Sequence, residues 1–259
     1  MFNIIRTEWL KVRTYRTFWV LFGVAVLFIP AINIIVAEFN RNIKGETKGL
    51  FSIALYDFDT VWRMMGNVTS LFTIFFGFLV IILVTNEFTF KTHRQNVIDG
   101  WSRVDFLLSK VFWVLFLSVF ALIITVITGL CLGLVYGKSD IGFDDFSAVW
   151  FYFGQMVLML TMALFVGMFV KRAGLAMVLY LAYTMGVEQL IVAVGKKYVG
   201  SVFTLLPIQA GDEMMPLPIV DKMVPNVSLY SPTVYALTIV AYIGLFGYLV
   251  YRKMAKADL

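Results

Sequence analysis

Histidine and cysteine are almost absent, with one of each, His93 and Cys131, in 259 residues. A single cysteine excludes an internal disulfide. A lone histidine cannot build a metal site, and no metal-spaced cysteines, zinc-protease motif or nucleophile elbow accompanies it. Neither a metal ligand set nor a catalytic residue is expected. The phosphate-cradling loop G-x-x-x-x-G-K-[ST] is missing too. Its nearest approach, GLVYGKS at 133–139, is one residue short between the glycines. Charge is scarce, at 14% of residues, whereas 61% are hydrophobic and the mean hydropathy is +0.87. Soluble domains average about 25% charged and about 45–50% apolar residues. Such an apolar excess cannot be hidden in the core of a chain this long, so lipid is the solvent for much of it.

Six windows meet the spanning criterion of about 17–25 apolar residues: 18–37, 68–85, 111–136, 149–170, 173–194 and 233–251. The fold expected is an all-α membrane protein, a single domain over 1–259 with six transmembrane helices. Lys and Arg near span ends mark the cytoplasmic side. Residues 1–17, 86–110, 171–172 and 252–259 hold thirteen of the 21 basic residues, and most acids lie in the loops opposite. Both termini are therefore expected to be cytoplasmic. The pI of 9.2 is a topology signal, so no nucleic-acid partner is implied. The first span has a 17-residue lead-in and a long apolar run, which reads as a retained span and not a cleaved signal.

Residues 1–17 read as an amphipathic helix, with Phe2, Ile5, Trp9 and Val12 at helical spacing and bases on other faces. Such a helix lies in the headgroup plane; a plain topogenic lead-in needs the charge without the stripe. The segment 195–232 holds five of the six prolines and is apolar for a loop. YVGSVFTLLPI fits a short helix dipping back into the outer leaflet and ended by Pro207, or a folded outer loop packed on the spans. Glu188 is the one acidic, basic or histidine residue within a span, in YTMGVEQLIV. Intramembrane carboxylates serve as substrate contacts or gates, or bond to a neighbouring helix.

The polar stretch NEFTFKTHRQNVIDGWSRVDFLLSK, 86–110, stands between two uncharged runs. Thr89 or Thr92 can cap a helix through HRQNVI, Asp99-Gly100 can turn after it, and Ser102 can open a second helix with Asp105 completing a capping box. A short polar helix held between two spans suits force transmission from a soluble partner; an ordinary positive-inside loop needs no such helix.

These residues resemble the loop between the second and third spans of ABC-2 type transporter permeases: Glu87, then Thr92, Ser102-Arg103 and Lys110, with Lys91 where the family usually has glycine. The amphipathic start with Glu8-Trp9-Leu10-Lys11, the six-span plan and the proline-containing piece before the last span are similar as well. The resemblance implies a transmembrane subunit of an ABC exporter, paired with a second copy or paralogue as a dimer in the cell membrane, as in a bacterial inner membrane. ATP and Mg would bind a separate cytoplasmic ATP-binding cassette ATPase, leaving this chain without a cofactor or catalytic role. It further implies that His93, Arg94, Gln95, Asn96 and Val97 dock on the ATPase, with Glu8, Trp9 and Lys11 on the flanking interface helix. Glu87, Thr92, Arg103 and Lys110 would anchor the loop to acids or lipid headgroups. Phe72, Phe75, Phe76 and Phe78 of the second span and Tyr180, Met185 and Glu188 of the fifth would be pathway candidates; an aromatic run also serves lipid contact and packing. The substrates that fit an uncharged interior are lipids, amphipathic peptides and hydrophobic drugs. Two other classes remain: a non-transporting anchor or signalling platform, and a secondary transporter coupled through Glu188.

Overall fold

The computed structural model describes residues 2–46, 55–92, 100–218 and 229–255, and among them every regular element is helical. Helix α1 (Phe2–Arg13) is followed by α2 (Arg16–Glu46) after a two-residue break, where the Tyr15 N–H donates to the Val12 carbonyl (3.0 Å) and the Phe18 N–H to the Tyr15 carbonyl (3.1 Å). Next come α3 (Val61–Ser70), α4 (Thr73–Thr89), α5 (Arg103–Tyr136) and α6 (Ser147–Val170). Helix α7 (Ala173–Ala182) passes through one π turn, Tyr183–Val187, into α8 (Glu188–Tyr198). A 3₁₀ turn (Ser201–Leu205), α9 (Pro207–Met214) and α10 (Pro232–Ala255) complete the fold.

Five of these runs are long and apolar enough to cross a membrane, and a sixth counts if α3 and α4 form one span. Those two are bent by 43°. The second apolar window is therefore no straight helix. The Phe72 N–H donates back to Thr69 O (3.0 Å) and the Phe75 N–H to Phe72 O (3.2 Å), so the i→i−4 ladder gives way to i→i−3 bonds at the bend. Pro207 does more than end the short helix before it. The short helix stops at Leu205, Leu206 is extended, and Pro207 opens α9. Proline suits a first helical position, where no N–H is needed, and it drives its predecessor out of the helical region.

Helix α6 lies in the middle, touching α3, α4, α5, α7, α9 and α10. Its apolar window is 61% buried, against 17% for α10, which explains why it is hydrophobic around its whole circumference. Small residues let the backbones close up, since apolar side chains gain little from leaving lipid for each other. A Cβ on Gly167 would sit 3.4 Å from Val84, and one on Gly77 of α4 would run into the Tyr180 ring of α7. Polar pairs add specificity. Asn33, fully buried in α2, donates to Thr69 Oγ1 (3.3 Å) and accepts from the Tyr56 hydroxyl (3.3 Å). Burial raises the Tyr56 phenol well above its ordinary value, so it stays a donor.

Gly77→Ala should destabilise the chain by about 1–3 kcal/mol through overpacking against Tyr180. In a Tyr180→Leu background the same change should cost much less. Unfolding midpoints of the four chains in mild detergent, set out as a double-mutant cycle, measure the difference.

Candidate functional site

Where α1, the end of α4 and the start of α5 meet, four charges are packed together. Lys110 Nζ lies 2.8 Å from Glu8 Oε2 and 2.8 Å from Glu87 Oε1. Lys11 Nζ lies 3.0 Å from Glu8 Oε1 and 3.0 Å from Glu87 Oε1. The Thr92 hydroxyl donates to Glu87 Oε2 at 2.5 Å. Glu8, Glu87 and Lys110 are 4% exposed or less, and Lys11 is 30% exposed. Two cations against two anions leave the cluster neutral, the condition under which charges tolerate burial.

Local sequence builds each arm. Glu8 and Lys11 are i, i+3 on α1 and so share a face. Glu87 sits near the end of α4, and Lys110 lies two turns into α5. That helix begins with the expected capping box: Ser102 Oγ accepts from the Asp105 N–H (3.1 Å), and Asp105 Oδ2 accepts from the Ser102 N–H (3.0 Å). Gly100, at φ +88°, makes the turn before it. On the same helix as Glu8, Trp9 stacks on Trp113 at 6.3 Å and meets Trp19 edge-on at 6.1 Å, which ties α1 to α5 and α2. A cavity of about 210 Å³ opens beside the cluster, lined also by Thr14, Tyr15 and Asn86.

A family model described as "ABC-2 family transporter protein" matches residues 4–205, which takes in all five members of this cluster. The chain belongs to the ABC-2 transporter family. Comparison with curated proteins gave no match. In this ABC-2 chain, Glu8, Lys11, Glu87, Thr92 and Lys110 come together as one site, although sequence reading assigned them to separate interface and loop-anchoring roles. Arg103 stands apart and donates to the Ala255 carbonyl, tying α5 to α10. The interface-helix stripe is split: Val12 packs inward beside Glu8, and Trp9 and Leu10 are exposed. The docking candidates His93 to Val97 lie outside the described residues.

The pathway candidates fall around the bend and the π turn. Phe72 lies at the bend and Phe76 is buried, while Phe75 meets Phe28 at 5.0 Å. Phe78 packs edge-on to the buried Tyr180 (6.3 Å), and Met185 is exposed. Glu188 is buried and bonded to a neighbouring element. Its Oε1 accepts from the N–H groups of Ile208 (2.7 Å) and Gln209 (2.8 Å), the first turn of α9, where a carboxylate also meets the positive end of the helix dipole. Sequence reading missed two partners nearby. Gln155 Nε2, from α6, donates to Asp212 Oδ1 of α9 at 3.1 Å. An amide in the midst of an apolar span was the available signal for Gln155; Asp212 gave none beyond its charge. Burial pushes the Asp212 carboxyl up to about 6; the Gln155 bond holds it back, and Glu188 and Glu213 push the same way as burial.

Lys110→Met strands Glu8 and Glu87 with only the half-exposed Lys11 between them. It should cost about 3–5 kcal/mol, whereas Lys11→Met should cost about 1 kcal/mol or less. Denaturant titration in detergent ranks the two. A carboxyl raised from 3.8 to about 6 binds a proton more tightly in the folded state. Its contribution to stability is present at low pH and is lost as pH climbs through about 6. Asp212→Asn should flatten the stability profile over that window, read from unfolding midpoints at successive pH values.

Proposed function

We propose that the chain is the membrane-spanning permease subunit of an ATP-driven exporter and works as a dimer with a second copy or a paralogue. Its ATPase is a separate cytoplasmic subunit, and both termini lie on the ATPase side. The observation that supports this reading best, beside family membership, is the neutral four-charge cluster. It joins the N-terminal helix, the root of loop 90–102 and the start of the longest span. Packed charges that hold each other through several bonds move as a unit, so displacement of the loop is passed to α4 and α5 instead of being absorbed by a flexible linker.

In this reading His93 to Val97 meet the ATPase, Thr92 hands the loop's movement to Glu87, and Lys110 carries it into α5. Glu188 is committed to the first turn of α9, which favours a role in holding the far end of the fifth span over one in ion coupling. The apolar interior suits a lipid-like, peptide or amphipathic substrate.

Purification of the tagged chain from native membranes in mild detergent should bring down an ATP-binding cassette ATPase, and Arg94→Glu should lose it. A folded native chain that brings none overturns the proposal. Thr92→Val should leave the ATPase bound but uncouple it, so that ATP hydrolysis by the purified complex no longer responds to added lipid or amphiphile. An unchanged response in Thr92→Val would remove the hydroxyl from the coupling route.

A further inference from the structure

A second cavity, about 170 Å³, lies at the end of the bundle remote from the charge cluster, between the α3–α4 bend, α6, the π turn and α9. That volume resembles the roughly 150 Å³ that accommodates a small organic ring in an apolar protein cavity, and far exceeds the share of one water. Ile74, Met159 and Ile208 supply apolar wall; Gln155, Thr184 and Asp212, with Ser70 and Gln189 at the edges of the lining, are the polar part.

The polar part is unbalanced. Gln155 is 3% exposed, and its Nε2 gives one hydrogen to Asp212, yet its Oε1 has no hydrogen-bond partner among the described residues. A buried carbonyl left so costs free energy unless something donates to it. Among the described residues Asp212 pairs with no Lys or Arg; the nearby Lys196 engages Glu213 at 3.1 Å. The Thr184 hydroxyl spends its hydrogen on the Tyr180 carbonyl (2.9 Å) and so offers only acceptor capacity. The side-chain oxygens of Gln155, Thr184 and Asp212 that face this cavity can only accept. The walls are built of the features that break regular helices, a bend and a π turn, which recur at functional sites.

We infer that this cavity binds the protonated primary amine of an amphipathic molecule, the ammonium donating to Asp212 and Gln155 and the adjoining hydrocarbon lying against Ile74, Met159 and Ile208. An ammonium has three donors and no acceptor, which matches the surplus. A bare metal cation would need about six oxygens, more than this mostly apolar wall offers. A charge-assisted bond to a carboxylate out of water is among the stronger polar contacts. Burial already holds the Asp212 carboxyl up, the behaviour of an anion without a cation beside it. The physiological meaning rests on the permease reading, in which this amine is the head group of the transported amphiphile; binding itself does not depend on that reading.

The test uses the full chain in lipid nanodiscs without ATP or ATPase. The probes are an alkylamine carrying a photoreactive diazirine near its head group and the alcohol of the same length. Adducts are mapped by peptide mass spectrometry. The amine should label peptides containing Met159 and Ile208 saturably, about tenfold or more above the alcohol, the ratio expected for loss of one charge-assisted bond. Asp212→Asn and, independently, Gln155→Met should each lower that labelling about tenfold with unchanged elution on size exclusion. A non-reactive alkylamine should compete, and its trimethylammonium analogue, which has the charge but no N–H, should compete poorly. Equal labelling by amine and alcohol overturns the inference, as does labelling that tracks lipid-facing residues such as Leu237 or labelling that a folded variant leaves unchanged. Such a failure leaves the permease reading intact, and an ATPase that fails to co-purify leaves the amine site intact.

Discussion

Charge in an apolar surround is costly unless it is paired or hydrogen-bonded, and the four-membered knot of Glu8, Lys11, Glu87 and Lys110 meets that constraint by mutual pairing of residues from three separate segments. The consequence is geometric. Once Lys110 is surrounded by both carboxylates, α1 cannot leave the bundle, α4 cannot slide along α5, and the loop between them must begin and end at fixed points. The Phe106 ring lies over Lys110 Nζ (5.1 Å) and the Trp101 ring over Lys11 Nζ (5.4 Å), adding cation–π contacts to the ion pairs. Removing a buried member such as Lys110 leaves an uncompensated charge, so the cluster resists that change more than an apolar contact would.

The opposite end is built on another principle. There one carboxylate, Glu188, caps the first turn of α9, and a second, Asp212, is held by an amide from the central helix. Neither is neutralised by an ion pair among the described residues. The two ends of the bundle thus differ in polar completeness: one is closed upon itself, and the other keeps acceptors facing a cavity. A satisfied end and a receptive end are joined by helices packed around α6.

Much of this was legible in the residues. Long uncharged runs separated by basic segments gave the helical membrane fold, and Ser102 with Asp105 gave the start of α5 to the residue. Glu8, Lys11, Glu87, Thr92 and Lys110 were all singled out, but as members of different features. Their convergence spans as many as 102 residues of sequence, and no local pattern encodes which distant acid a lysine meets. The α3–α4 bend was hidden because no proline or glycine marks it; backbone bonds that slip by one residue at Thr69 and Phe72 leave no compositional trace. Gln155 and Asp212 were missed because a single amide and an acid in a proline-bounded segment acquire meaning only when α6 and α9 are placed side by side.

The π turn at Tyr183–Val187 has an implication for heredity as well as for shape. It lodges one residue more than an α turn would hold, so all that follows is rotated by roughly 100° about the helix axis. The orientation of Glu188 toward α9 is thus a matter of chain length and not of side-chain chemistry. Exchanging one amino acid for another cannot regularise that stretch by arithmetic; the loss of a single codon can. The fifth apolar run is in effect two shorter helices indexed to different directions, and the one-residue offset between them is as much a part of the far-end architecture as any contact it makes.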